Sequence, residues 1–537
     1  MAEVLWTVKA KNRLYNALAR QFCRAVCPPE GQAAADPQTA LETLLQKAND
    51  VLARTFSKAG TIVVQDQLKG FRAREDLYTL LVEVFAGTDA MQSVDGWRPE
   101  AGESSTYIVK IGPEEKIRPE LDNWKLCRPL GVRHDPVFLP VQEGCELEGM
   151  MSIVYGDAHQ LIGVRHIATL EDAVLRSVRF GVPSVQSVAV VLMELLERLG
   201  HMMYGRSFVD DPAQHTDYRF FIPHLDESLA RWEQEARLTM VRRAANMAKV
   251  GAEWFIDPVD YLGCYLKKYV TWADAQHAGI APQARPCPGA FCWSRDGAVA
   301  NANEVTAPGP AQLIPRMLRG ASHGDLHGRN VLVGIVRERA LWPALFDYED
   351  MSFCNLVAWD FAKLETELKT RAYVEIFAGA REPTAAEHDE SPDDAAAEKY
   401  ENQAFLEAVQ RSELRLNEMT ERYYRLGHWP PVTRKANALD RLHSILLELR
   451  RMTQVHLGID RGRPNEWLEE YYFVLACYGV STSRFPNLTL RQWLAAYLSA
   501  GVAVARLAWP RLQDRKDRAR LGLKPAFIRQ EENDGYR

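Results

Sequence analysis

The sequence predicts an α+β fold in which a small sheet comes first and a mostly helical body follows. Between about residues 77 and 155 the apolar residues fall in short runs punctuated by Gly and Pro: "LYTLLVEVFAG", "STYIVKIG", "PVFLPV" and "GMMSIVYGDA". Beyond them the apolar period lengthens to that of helices. The composition, 47% hydrophobic and 25% charged over 537 residues, is that of a globular chain with room for two to four domain-sized units or for one two-lobed unit with additions.

Taken in order, residues 5–27 and 38–58 carry apolar positions at helical spacing, Leu14, Leu18 and Phe22 in the first and Leu41, Leu44, Leu45, Val51 and Leu52 in the second. The Pro/Gly/Ala-rich "PPEGQAAADP" separates them, so residues 1–70 read as an amino-terminal helical appendage able to meet a protein partner. Residues 71–155 read as the sheet lobe, with a joint near Gly156. Residues 156–537 read as the helical lobe, with helices over 183–203, 226–249, 258–275, 437–456, 464–479 and 488–507. The stretch 276–320 is loop-rich. Residues 379–402, "GAREPTAAEHDESPDDAAAEKYEN", are acidic and poor in large apolar side chains, which marks a solvated insertion. The basic tail reads as a frayed surface end, and no internal repeat is present.

A formal charge of −6 gives no global basic footprint, so nucleic acid is not the default partner. The nine cysteines include no C-x-x-C pair and indicate neither a disulfide framework nor a zinc site. No long uncharged apolar stretch occurs and the amino terminus has no signal core, so no membrane span is expected and the expected location is the cytoplasm.

The chemistry concentrates in "HGDLHGRNVL", residues 323–332. Phosphoryl transfer needs a carboxylate at the attacking hydroxyl and oxygen ligands for magnesium on the nucleotide phosphates, and the spacing H-x-D-x-x-x-x-N followed by a second Asp supplies both. His323, Asp325 and Asn330 stand at those positions, and "VLVGI" continues as a strand. A second strand-like run, "ALWPALFDYEDM", ends in Asp347, Tyr348, Glu349 and Asp350. A hairpin from Asn330 to Asp347, with a somewhat long turn at "RERALWP", brings both oxygen donors to one edge. Asp360 in "AWDFAKLE" reads as an N-cap or brace.

These stretches, "HGDLHGRNVLV", "LFDYED" and "WDFAKLE", resemble the motif of the aminoglycoside phosphotransferase and choline kinase branch of the protein-kinase-like fold. Gly324 in place of the protein-kinase Arg, and Tyr348-Glu349 in place of Phe-Gly, are similar to that branch. The wording around Gly328 and Arg329 also resembles ternary complex associated kinase-like domains of bacterial conflict systems. The resemblance implies a two-lobed protein-kinase-like fold, with a small antiparallel sheet in the amino-terminal lobe and a large helical carboxy-terminal lobe. It implies ATP and magnesium as cofactors and a small-molecule hydroxyl as substrate. In its terms Asp325 is the catalytic base or nucleophile-orienting group, Asn330 and Asp347 are the magnesium ligands, and His323 is structural. His327 and Arg329 either reach phosphate or substrate or are solvent-facing or backbone-bonded side chains, and Glu349 either helps hold metal or caps the turn.

The same resemblance asks for a Lys on the third strand of the small lobe and a helix Glu beside it, gripping the α and β phosphates. Lys110, ending "STYIVK", answers the first, and Glu120 after Pro119 answers the second, with Glu114 and Glu115 as rivals. The phosphate loop is expected in "VFAGTDAMQS", with Gly87 and Thr88 as its contacts, although one glycine makes a thin cradle. The adenine is expected against "MMSIVYG", bonded to backbone around Val154. The expected activity is transfer of the ATP γ-phosphate to a hydroxyl; the alternative is a catalytically inactive, nucleotide-binding or partner-binding scaffold. Accidental loop chemistry or a metal site in a hydrolase is a third reading, which leaves "FDYED" unexplained.

Overall fold

Alternation of buried and half-buried side chains organises the first sheet. The computed structural model describes residues 2–12, 14, 37–67, 77–86, 104–126, 135–156, 162–164, 166–210, 258–259, 262, 315–377, 392–429, 437–482, 485 and 488–511. Six strands, β1 (Glu3–Trp6), β2 (Ala59–Gln67), β3 (Tyr78–Ala86), β4 (Ser104–Pro113), β5 (Val141–Leu147) and β6 (Met150–Tyr155), lie in the order β1-β2-β3-β4-β6-β5. β1 runs parallel to β2 and the other neighbours are antiparallel. One face carries Ile62, Val64, Leu80, Val82, Val84, Val109, Ile111 and Val154, which share a core with Val51 and Leu52 of helix α1 (Pro37–Thr55) and with Phe56 just beyond its end. The period of two sends Lys110 of β4 and Tyr155 of β6 to the opposite face.

Residues 1–70 are therefore not a helical appendage. They supply β1 and β2 to the sheet, with α1 as the one helix of that segment that falls wholly within the described residues. The reason is non-local: the four-residue β1 finds its ladder only through Glu3↔Thr61 to Trp6↔Val64, far along the chain, and a helical period in the neighbouring residues masks so short a strand. The expected helix over 5–27 survives in the described residues 8–12 and 14.

β4 runs directly into helix α2 (Glu114–Leu126), whose buried residues Ile117, Glu120, Leu121 and Trp124 repeat at helical spacing. Farther on, β7 (Ile167–Thr169), β10 (Val331–Val336) and β11 (Arg339–Leu345) form a second sheet in the order β11-β10-β7. The hairpin turn is tight: Val336 pairs with Arg339, so Arg337 and Glu338 alone connect the strands, where a long turn was expected. Helix α3 (Leu170–Phe180) is capped by the Thr169 hydroxyl at one end and by Gly181 in the left-handed region at the other. Helix α4 (Val185–Met202) packs on β11, and the Ser187 hydroxyl accepts from the Ala340 amide.

The described residues fall into two compact units, the first holding these elements and the segment Ala321–Asn355. In the second, β8 (Phe208–Asp210) pairs with Met317–Arg319 of β9 (Met317–Ser322), the strand in which the loop-rich stretch ends and whose last two residues belong to the first unit. Its helices are α5 (Val357–Phe377), α6 (Pro392–Leu426), α7 (Ala438–Thr453), α8 (Trp467–Thr482) and α9 (Leu490–Arg511). The expected solvated insertion over 379–402 is corrected from Pro392 onward, where α6 begins. Pro392 stands at the first helical position and Asp393 and Asp394 follow at the positive end of the helix, ahead of three alanines, a start signal that acidic composition obscured. The rest of that insertion, most of the expected helices over 226–249 and 258–275, and the carboxy-terminal tail lie outside the described residues. Cys145, Cys354 and Cys477 are free thiols. No helix among the described residues is long and apolar enough to cross a membrane.

Candidate active site

Every charged residue of the expected site that is described lies within the first unit. Lys110 leaves β4 on the face away from α1 and is almost wholly buried. Its Nζ donates to Glu120 Oε2 at 2.7 Å and to Asp347 Oδ1 at 2.8 Å, with Glu349 Oε2 at 3.5 Å. Burial opposes the ammonium charge, but Asp347 and Glu120 outweigh it and hold the Lys110 pKa above its ordinary value. Burial also works against the Asp347 carboxylate, and Lys110 more than compensates, leaving that group below its usual range.

Glu120 is chosen over its rivals by the helix period. It occupies the buried stripe of α2, whereas Glu114 pairs with Arg118 and Glu115 is exposed. Pro119 lies inside α2, which begins at Glu114 and not after the proline, because the Glu114 amide bonds the Gly149 carbonyl and two acidic residues occupy the first turn. Burial and the nearby Asp347 push the Glu120 carboxyl up, to about 7, against the pull of Lys110. Its Oε1 accepts from the Tyr348 amide at 2.8 Å and from the Tyr155 hydroxyl.

The 323–330 loop is laced to the segment around Asp347 from both ends. The His323 ring uses both nitrogens: Nε2 donates to the Phe346 carbonyl at 3.1 Å, and Nδ1 accepts from the Asp325 amide at 3.3 Å. The Asn330 carbonyl accepts from the Phe346 amide at 3.1 Å. The Asn330 side-chain amide donates to Asp325 Oδ2 at 3.1 Å and to the Asp325 carbonyl at 3.0 Å. Phe346 is thus held between the two ends of the 323–330 loop, and Asp347 follows it with φ 68°, a left-handed backbone that aims its carboxylate at Lys110.

His327 is buried and places Nε2 3.5 Å from Asp325 Oδ2. Arg329 is directed to Glu171 of α3 at 3.9 Å, and the Gly328 carbonyl accepts from the Glu171 amide. A Cβ on Gly328 would lie within 2.9–3.1 Å of Glu171 atoms, so this position holds the loop close against the start of α3. Glu349 reaches Lys110 with its side chain, while its carbonyl and that of Tyr348 accept from Asn123 of α2. Trp124, one residue on, stacks on Tyr348 with ring centres 4.9 Å apart.

Gly87 and Thr88 lie outside the described residues. The strand leading to them ends at Ala86, where Phe85 pairs with Ser104 at the far end of β4; Lys110 pairs with Thr79, near the start of β3. Val154 departs from expectation. Its backbone lies between β4 and β5 and its side chain faces the α1 core, because a one-residue step along a strand reverses the face. On the Lys110 face that segment presents Met151, Ile153 and Tyr155, with Ile153 directly opposite Lys110. Sequence reasoning missed Tyr155, Asn123 and Trp124. The last two share the 120/121/124 face of α2 or border it, a pattern visible in the sequence, whereas the Tyr155 contact depends on strand register alone.

Two oxygen donors of the hard type that magnesium takes, the Asn330 amide and the Asp347 carboxylate, are present, and Lys110 engages only Oδ1 of the latter. Among the described residues no group of three or more His, Cys, Asp or Glu is placed to enclose a metal ion. A magnesium ion that keeps waters and phosphate oxygens needs only one or two protein carboxylates, so the donor set fits a nucleotide-borne ion.

No protein-family model and no curated protein matches the chain. Among solved structures, two crystal forms of glucosamine kinase are similar at 12% identity, with TM-scores of 0.28 and 0.26, covering 86% of this chain and 97% and 93% of theirs. Glucosamine kinase in complex with glucosamine, ADP and inorganic phosphate is similar at 12% identity and TM-score 0.26, covering 83% of this chain and 85% of that one. Likenesses of this looseness carry no weight for fold or activity.

Proposed function

We propose that the chain is a kinase-like phosphotransferase that uses ATP and magnesium to phosphorylate a hydroxyl of a small molecule. The observation that carries this reading is the contact of Lys110 with both Glu120 and Asp347, on a unit where Asp347 is tied through Phe346 to the Asp325–Asn330 loop. Counting the antiparallel run from β2, Lys110 stands on the third strand and Glu120 on the helix that follows, the arrangement of the phosphate-gripping pair in kinases. In this reading the small lobe of a two-lobed fold includes β2, so it starts earlier than residue 71, and the helical elements from α3 onward belong to the large lobe. In this reading the phosphates lie toward the end of β4 that carries Lys110, beside the start of β3.

Asp325 accepts a hydrogen bond from the acceptor hydroxyl and orients it, while Asn330 holds the Asp325 carboxylate in place. Lys110 supplies fixed positive charge at the nucleotide phosphates, with Glu120 keeping it there. Asn330 and Asp347 would hold magnesium, which would supply positive charge against the phosphates when bound. Rate enhancement comes from positioning and charge, without a covalent intermediate on the protein.

The test is magnesium-ATP binding and phosphate transfer by the wild type, Asp325→Ala and Asp347→Ala. Asp325→Ala should bind nucleotide normally and lose roughly 10²- to 10⁴-fold in kcat; Asp347→Ala should lose magnesium-nucleotide binding. Equal turnover in all three proteins rules out the enzyme reading. A folded wild type that binds nucleotide without turnover supports the scaffold.

A further inference from the structure

Tyr155 is the one side-chain donor to Glu120, other than Lys110, that no part of the phosphotransfer scheme employs. It is fully buried on β6, on the same face as Lys110, since Lys110 pairs with Ile153 and Ile108 with Tyr155. Its ring lies 5.7 Å from that of Phe346 and 6.0 Å from that of Tyr348, so phenylalanine would fill the same space. The hydroxyl adds only the bond to Glu120 Oε1.

That bond matters because the site holds more acid than base. Lys110 contacts Glu120, Asp347 and Glu349, three carboxylates around one ammonium. A fully buried carboxylate persists as an anion only with enough donors. Tyr155 and the Tyr348 amide both bond Oε1, which turns Oε2 toward Lys110. Without the hydroxyl, Oε1 keeps one donor, the grip of Glu120 on Lys110 loosens, and the ammonium shifts its pairing to Asp347, 2.8 Å away. Asp347 is the carboxylate that the reading above assigns to magnesium. We infer that Tyr155 is a positioning residue that apportions Lys110 between Glu120 and Asp347, so that Asp347 stays open to the metal carried by the nucleotide.

The inference rests on the proposed phosphotransferase reading, and the experiment separates the two. Magnesium-ADP binding is followed by calorimetry across a magnesium titration for the wild type, Tyr155→Phe, Glu120→Gln and the double variant, with thermal melting of each protein recorded alongside. The expected result for Tyr155→Phe is a cooperative melt at a somewhat lower temperature and a magnesium midpoint raised on the order of tenfold, from loss of one hydrogen bond to a charged group. In the Glu120→Gln background the same substitution should leave the midpoint unmoved, which a merely structural role for Tyr155 would not produce. A Tyr155→Phe protein that matches the wild type at every magnesium concentration overturns the inference and leaves the enzyme reading standing. An additive effect in the double variant likewise overturns it. A folded wild type that binds no magnesium-ADP overturns both.

Discussion

Gly324 shows how much of the site is decided by single backbone positions. Its φ is +77°, and a Cβ placed there would lie 2.2 Å from the Asp350 carbonyl oxygen and 2.7 Å from Asn355 Nδ2. Asn355 in turn donates to the Asp350 carbonyl at 2.8 Å, so the loop that begins at His323 and the loop that ends at Asp350 touch through atoms with no room between them. Gly324→Ala should therefore cost on the order of 1–3 kcal/mol of stability from backbone strain, and lower turnover by displacing Asp325. Denaturant midpoints and steady-state rates measured on the same preparation check both effects; a stable, fully active alanine variant would refute the argument. Asp347 bears the same kind of strain at φ 68° without being glycine, and its carboxylate is what the strain serves.

At the scale of elements, the β10–β11 hairpin sets the spacing between Asn330 and Asp347 by ladder pairs from Val331↔Leu345 to Val336↔Arg339. Its two-residue turn puts Arg337 at φ 55°, a conformation that glycine adopts without the steric cost of a Cβ. Arg337→Gly should raise the unfolding free energy by about 0.5–1 kcal/mol and leave catalysis unaffected, since the turn is at the end of the hairpin away from Asp347. A fall in the melting temperature would show that Arg337 makes a contact outweighing its backbone strain. Helix α2 is the other deciding element, because its period puts Glu120 beside Lys110 while Asn123 and Trp124 engage the Tyr348–Glu349 backbone and ring.

At the scale of the whole molecule, the helical unit is held around charges buried in its core. Glu365 of α5 accepts from Arg450 at 2.6 and 2.8 Å, from Lys369 at 3.1 Å and from the Tyr471 hydroxyl at 2.5 Å. Arg450 also reaches Asn417 and Thr420, and Lys369 reaches Glu413, which accepts from Tyr373. Burial raises the Glu365 carboxyl, but Arg450 and Lys369 prevail and bring it down to about 2. The unfolded chain, with the ordinary value of 4.5, binds more protons between about 2 and 4.5, so stability rises with pH through that window. This contribution is fully present above the unfolded value and drains away on acidification toward the folded one, amounting to about 3 kcal/mol. Urea unfolding of Glu365→Gln across this range should show a flatter pH dependence than the wild type; an unchanged slope would mean that other carboxylates carry the acid sensitivity.

The sequence by itself determined what depends on local spacing. The order of a sheet before helices, the 323–330 polar run, Asp347 at a strand end, Lys110 at another and Glu120 as a candidate partner were all readable, since strand and helix periods and motif distances are short-range properties. The start of α6 at Pro392 was equally readable and was hidden only by the acidic composition around it. Tertiary structure alone decided that residues 3–6 and 59–67 belong to the sheet, that Val154 faces the core and Tyr155 the Lys110 side, and that Lys110 bridges Glu120 and Asp347. Strand partners and register are chosen by contacts between residues far apart in the chain, where a shift of one position reverses every face, and no local pattern records that choice.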